Sequence, residues 1–241
     1  MAECLVTGGT SAIGQMIVRS LAGEGHSLRF TFMHDERTAQ ELSADTGTEA
    51  IRVDFSRPGW QIDPSGELIL INNAGVNLSG HSVADTTEAE MDYTLKVNLL
   101  APWRLAQALT PHMATTGWGR IVNINSLWGL ASAKNRFSYA ASKHALRALT
   151  ATLALELADQ GITVNEVCPA AVATDMLAGM AEQAVAAGRF ASTEAYLADC
   201  ANSIPTKRLV APTSVAALVL FLCSKDAQDI TGQSICVSGG M

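Results

Sequence analysis

Short apolar runs recur along the chain between segments of helical length, and this alternation restricts the fold more than any other feature. The runs "ECLVT", "SLRFTFM", "AIRV", "ELILI", "RIVNIN", "ITVNEV" and "SICV" read as strands. Between them apolar residues repeat at helical spacing over 13–23, 36–44, 87–113, 138–159, 175–187, 193–201 and 213–223. Strands that are apolar almost throughout lose water on both faces, which predicts a parallel sheet with helices on either side. The expectation is an α/β fold, one doubly wound sheet of seven strands in a single domain over residues 1–241. Two irregularities are expected within it. The long helical region should break near Pro102, and "FSRPGWQIDPSG" should cross over as loop because Pro58, Gly59, Pro64 and Gly66 interrupt any helix.

Charge and composition exclude several classes. The net charge of −7 and the lack of a basic stripe argue against nucleic acid as a partner. No apolar run reaches the length of a membrane span, and "MAECLVTGG" enters a strand without a basic and then apolar leader. Cys4, Cys168, Cys200, Cys223 and Cys236 are scattered with no CxxC pair, as expected of reduced thiols in a cytoplasmic protein. The five histidines show no metal-ligand spacing.

Two glycine-bearing turns follow strands. In "VTGGTSAIG" the turn runs from the first strand into the first helix, the context in which backbone N–H groups and a helix N-terminus cradle a pyrophosphate. Gly8 suits the tight turn and Gly14 close helix–sheet packing; plain turn punctuation is the rival reading. "ILINNAGVN" places Asn73 and Gly75 at a strand's carboxyl edge, where open parallel sheets bind ligands, although an Asx-rich turn has the same composition.

A second group of residues has polar chemistry. Tyr139 and Lys143, four apart in "SYAASK", share one helix face, and Ser126 ends "IVNINS". Asn98 lies in "LKVNLLAP" and Pro169 to Thr174 in "NEVCPAAVATDM". Taken singly, Ser126 reads as a cap, Asn98 as a kink near Pro102 and Lys143 as a solvated charge.

Together, "TGGTSAIG", "NNAG", Asn98, Ser126, "YAASK", "CPAAVATDM" and the tail from Ile204 to Met241 resemble the short-chain dehydrogenase/reductase family, in the style of the 3-oxoacyl carrier-protein reductases. The resemblance covers residues 4 to 241 and implies a single Rossmann-type catalytic domain. It further implies a tetrad: Tyr139 as general acid toward a carbonyl oxygen, Lys143 as the cation that tunes it and holds the nicotinamide ribose, Ser126 as polarising donor, and Asn98 holding a relay water. An ammonium beside a phenol favours the phenolate. Cofactor contacts are implied at Gly8, Gly9, Thr10, Ser11, Ile13, Gly14, His34, Asp54, Phe55, Asn73, Ala74, Gly75, Pro169, Val172 and Thr174, besides Tyr139 and Lys143, with Asp54 capping the adenine. Ala12 and Ala170 depart from the glycines usual in the family.

The second strand ends on Phe32 or Met33, then His34, where NAD-preferring relatives carry an acid. NADP(H) is therefore favoured over NAD(H), with His34, Arg37, Thr10 and Ser11 as candidate partners of a 2′-phosphate. Trp128, Leu130 and Phe137 should wall the substrate cleft, and 175–203 (Met176, Leu177, Met180, Phe190, Tyr196) should lid it, unless these are simply core. Arg120 and Arg136 could meet the phosphopantetheine arm of a carrier protein; as solvated arginines they would do nothing. The expected function is reduction of a small-molecule or carrier-bound ketone to a secondary alcohol, by a homodimer or homotetramer paired through the helices at 87–113 and 138–159. The alternatives are an NAD(H)-dependent secondary-alcohol dehydrogenase and a non-catalytic dinucleotide-binding regulator. A dehalogenase on this scaffold is contradicted by the glycine turn and Lys143.

Overall fold

Seven parallel strands run in the order β3-β2-β1-β4-β5-β6-β7 in the computed structural model, which describes residues 2–62, 66, 68–78 and 80–241. They are β1 (Glu3–Val6), β2 (Ser27–Phe32), β3 (Glu49–Arg52), β4 (Ile69–Asn72), β5 (Gly119–Ile124), β6 (Ile162–Pro169) and β7 (Ser234–Val237). The uniform apolarity of the strands is explained by burial on both faces: every residue of β4, β5 and β6 is buried. In register, Val6 lies between Phe30 and Ile71, and Ile121 between Leu70 and Val164. The direction of winding reverses between β1 and β4, so a crevice opens beyond their carboxyl ends.

Helices cover both faces. On one, α1 (Ala12–Gly23) and α8 (Pro212–Cys223) bury Ile17, Leu21, Val215 and Val219; α2 (Glu36–Thr46) adds Leu42. On the other, α4 (Ala101–Thr116) and α5 (Phe137–Leu157) bury Leu105, Leu109, Met113 and Leu157. A third, smaller cluster joins α6 (Asp175–Ala186) to α7 (Thr193–Ser203) through Leu177, Ala181, Ala184 and Tyr196. Among the described residues no helix is long and apolar enough to cross a membrane.

Two expectations need correction. No break occurs at Pro102. Instead α3 (Glu88–Leu95) passes through a π-helical turn, Lys96–Leu100, directly into α4. Ala101 N–H reaches back five residues to Lys96 O, and the proline sits in the first turn of α4, where a missing N–H costs least. Arg120 is no surface arginine. It stands at the amino end of β5, away from the crevice and 2 % exposed, with Nη1 donating to Gly119 O (2.8 Å) and its guanidinium 4.6 Å from the Trp118 ring. Its donors go to the backbone carbonyls of Gly119, Ser224 and Gly161, which is what makes its burial tolerable. The strand expected over "ELILI" starts at Ile69, with Leu68 a bend before it, while Glu67, like Pro64 of the crossover, lies outside the described residues.

The crossover after β3 has no helix over its described residues up to 62. Aromatic side chains fill the space instead: Phe55 meets Trp60 edge-on at 4.9 Å, and Arg104 of α4 lies 5.9 Å from the Trp60 ring.

Candidate active site

One cavity of about 520 Å³ follows the carboxyl edge of the sheet from the glycine turn after β1 to α5. Gly8 adopts φ +65°, and a Cβ there would stand 2.9 Å from Ala74 Cα, so the turn depends on glycine. Gly14 is needed for approach: its Cβ would lie 2.2 Å from Gly8 O. Neither Gly9 nor Gly14 faces the cavity, and Gly9 packs under Phe30.

Side chains hold this turn from behind. Asn73 Nδ2 donates to Thr7 O (2.9 Å) and Gly8 O (2.9 Å), and Thr7 Oγ1 accepts from Asn73 N (3.0 Å) and Ala74 N (2.9 Å). Thr31 Oγ1 accepts from Gly8 N at 3.1 Å. Ser11 caps α1 by accepting from Gly14 N (3.1 Å). No acidic residue occupies the first turn of α1, in contrast to α2, α6 and α7, so the helix end turned to the cavity keeps its positive potential. A glycine turn too tight for any Cβ, beside an uncompensated helix N-terminus that faces the cavity, fits the pyrophosphate of a dinucleotide. Thr10, Ser11, Ile13, His34, Phe55, Ala74, Gly75, Val172 and Thr174 also line the cavity, together with Asn73 and Pro169. Asp54 does not: its Oδ1 accepts from Ser56 Oγ (2.6 Å) and Ser56 N (3.0 Å), and Oδ2 pairs with Arg57 (3.0 Å). Val53 and Phe55 on either side take the lining positions.

Ser126, Tyr139 and Lys143 meet at the other end. Their burial follows from α5 packing on β5 and β6 with this face inward; Tyr139 is 8 % and Lys143 4 % exposed. Lys143 Nζ donates to Ile124 O (2.8 Å) and stands 5.8 Å from the Tyr139 ring centroid. Desolvation pulls its pKa down to about 8, against opposing pulls from Glu166 and Cys168. Tyr139 differs from expectation. Burial raises the phenol above its ordinary value, and the groups that lower it are a hydrogen-bonded Ser126 and the Arg136 charge. The phenol is therefore held protonated, with Ser126 at hydrogen-bonding distance and Lys143 a turn away. That arrangement can give a proton to a carbonyl oxygen placed between the two hydroxyls.

Asn98 does not line the cavity. From the π-helical turn its Oδ1 accepts from Val76 N (2.8 Å) while Nδ2 donates to Val76 O (2.9 Å) and Ser142 Oγ (3.0 Å). It fastens the segment after β4 to α5, and a Cβ on Gly75 would meet both Asn98 Oδ1 (3.5 Å) and Lys143 Nζ (3.7 Å).

Of the expected substrate walls, Trp128, Met176, Leu177, Met180 and Tyr196 line the cavity; Leu130, Phe137 and Phe190 do not. Phe190 braces Tyr196 edge-on at 5.1 Å, and Phe137 points to solvent. Arg37 also faces away, paired with Glu41 at 2.8 Å. Some lining residues had no signal in the sequence: Asp35, which caps α2 by accepting from Thr38 N (3.0 Å), Leu127, and the terminal Met241. Thr7 and Thr31, inside strand-like runs, read as ordinary strand residues; their hydroxyls gain a role only once β1, β2 and β4 are side by side.

The family model described as enoyl-(acyl carrier protein) reductase matches residues 64–241. The D-beta-hydroxybutyrate dehydrogenase of Rhizobium meliloti (strain 1021) is 31% identical over 250 residues, covering 98% of this chain and 96% of that protein. The 3-oxoacyl-acyl-carrier-protein reductase of Aquifex aeolicus (strain VF5) is 33% identical over 250 residues, again covering 98% and 96%. Among solved structures, a single-site variant of actinorhodin polyketide ketoreductase with NADPH superposes with a TM-score of 0.88 at 31% identity, covering 99% of this chain and 96% of that one. With a dinucleotide cradle and a Ser–Tyr–Lys cluster in one crevice, and likeness over nearly its whole length, the chain belongs to the short-chain dehydrogenase/reductase family, oxidoreductases that use NAD(P)(H) on CH–OH carbons.

Proposed function

We propose that the protein is an NADP(H)-dependent reductase that converts the ketone of a 3-oxoacyl thioester or a polyketide-like substrate to a secondary alcohol. The observation that carries this reading is the buried Tyr139, kept protonated beside Ser126 and Lys143 at the end of a dinucleotide-sized cleft. A reductase needs its acid protonated before the reaction, and desolvation supplies that state. The nicotinamide, when bound, supplies the hydride. Tyr139 Oη gives its proton to the carbonyl oxygen, and the Ser126 hydroxyl donates a hydrogen bond to the same oxygen, favouring the charge that develops there. Lys143 Nζ would hold the ribose hydroxyls, and Asn98 fixes the Gly75–Val76 turn that lines the cleft. Gly8, Thr10, Ser11, Ile13, Gly75, Val172 and Thr174 bind the rest of the cofactor.

The preference for NADP(H) is supported by Phe32 and Met33 at the end of β2, with His34, Thr10 and Ser11 facing the cleft. Asp35, three residues past β2, spends its carboxylate on the backbone of α2. The substrate class is supported by the apolar wall of Trp128, Met176 and Met180, and by a side pocket of about 70 Å³ at the mouth. Lys134, Arg136 and Arg189 line that pocket, which suits the phosphate of a carrier arm. NADPH oxidation over a panel of ketones, including acyl thioesters, tests the reading. Turnover with NADPH should exceed that with NADH. Tyr139→Phe should lower kcat by about two to four orders of magnitude while NADPH still binds. Unchanged turnover in that variant, or oxidation of alcohols by NAD alone, contradicts it.

A further inference from the structure

In the middle of β6, in register between Asn123 of β5 and Ser234 of β7, stands Glu166, which is 0 % exposed. A charge taken fully out of water is costly unless it is paired or saturated with hydrogen bonds. Among the described residues no ion pair reaches it. Donors converge on it instead: Ser234 Oγ to Oε1 at 2.6 Å, Asn125 Nδ2 to Oε2 at 2.6 Å and Cys168 Sγ to Oε1 at 3.6 Å, while Thr150 Oγ1, whose proton goes to Leu146 O (2.9 Å), stands 3.4 Å from Oε2. An ionised carboxylate only accepts, whereas a carboxylic acid must also donate. Donors from β6, β7 and the end of β5 suit the ionised form.

Asn125 connects this carboxylate to the site. The same Nδ2 donates to Lys143 O (3.2 Å), and Oδ1 accepts from Ser126 N (2.9 Å). With Nδ2 directed at an acceptor-only group, Oδ1 has to face the Ser126 amide. One side chain, oriented by Glu166, thus ties together the backbones of two site residues. The charge also reaches the Lys143 ammonium and favours it against desolvation. Around it the titratable groups are Tyr139 and Lys143 on α5, Cys168 on β6 and Cys236 on β7, with Arg136 acting on Tyr139 from the start of α5. Burial and Glu166 itself push the Cys168 thiol up, so that thiol stays neutral and the negative charge facing Lys143 is the carboxylate.

We propose that Glu166 is a positioning residue, the fixed buried counter-charge of Lys143 and, through Asn125, the anchor of the Ser126 and Lys143 backbones. This rests on the hydride-transfer reading above for its kinetic consequence, but not for its charge state. The test compares Glu166→Gln and Glu166→Asp with the wild type, following NADPH oxidation by the 3-oxobutanoyl thioester of N-acetylcysteamine from pH 6 to 10. The alkaline limb of kcat/KM should move to lower pH by about one unit or more in the Gln variant, a tenfold change in the Lys143 protonation equilibrium per unit. The Asp variant should restore the wild-type limb even where its kcat is lower. A Gln profile superimposable on the wild type, or lowered equally at every pH, overturns the proposal.

The wild-type holoenzyme with 13C-labelled glutamate carboxyls decides the matter even where neither variant folds. Surface glutamates are ionised at pH 7, so a protonated glutamate signal there overturns the proposal, and its absence supports it. Should the wild type reduce no ketone, the catalytic reading fails while the NMR measurement still tests Glu166.

Discussion

Lys143 is asked to carry a positive charge where its surroundings work against one. Desolvation brings it down to about 8, while the unfolded chain retains the proton to about 10.5. Between pH 8 and 10 the unfolded state therefore binds more protons than the folded state, and stability rises with pH, by about 1.4 kcal/mol per unit from this group alone. Tyr139 acts in the opposite sense: its folded phenol keeps a proton that the unfolded one loses above pH 10, so stability falls there. Lys143→Met should flatten the rise between pH 8 and 10 in urea melts while leaving the decline above pH 10. A slope unchanged by the substitution would show that the lysine does not titrate in that window. The same burial separates the spacing of these two residues, legible as an i, i+4 pair, from their electrostatics. Spacing reports that Lys143 can act on Tyr139, but only packing reports that both groups lose water and that Ser126 and Arg136 are the phenol's stronger partners.

At the scale of elements, the π-helical turn at Lys96–Leu100 matters most, since it turns Asn98 inward to serve Val76 and Ser142. Asn98→Ala would leave the Val76 amide and carbonyl without partners. It should cost about 1–3 kcal/mol, read as a fall in Tm of roughly 2–4 °C per kcal/mol for a chain of this size. NADPH affinity should fall with it, since Gly75 and Val76 line the cleft; a variant as stable as wild type contradicts this role. Hydropathy does not single out the turn: it spans only five residues, Lys96–Leu100, too few for a shift of register to show, and Pro102 reads as a breaker. The strands were legible because burial on both faces writes continuous apolar runs. Arg120 and Glu166 are the exceptions, since a charge in a strand reads as solvated until its partners arrive from Ser224, Gly161, Ser234 and Asn125. Likewise the glycine turn and the Ser–Tyr–Lys spacing stood out, while Met241 could be placed in the cleft only by tertiary structure.

For the molecule as a whole, the outer faces of α4 and α5 leave large apolar side chains in water. Leu155 is 85 % exposed and Trp103 42 %, on the two helices through which pairing of subunits is expected. Leu155→Arg should convert the assembly to monomers in light scattering, with NADPH binding retained at high protein concentration. A monomeric wild type would contradict the pairing. The helix-free crossover after β3 has a consequence of another kind. By standing in for a helix, Trp60 lies against Phe55, which lines the cleft, while Trp128 lines the same cleft beside Ser126. One indole thus lines the crevice and a second stands behind its wall, and reduced nicotinamide absorbs where indoles emit. Occupancy of the crevice by reduced nicotinamide can therefore be watched as energy transfer in the unlabelled protein, and Trp128→Phe separates the signal of the lining indole from that of Trp60 behind the wall.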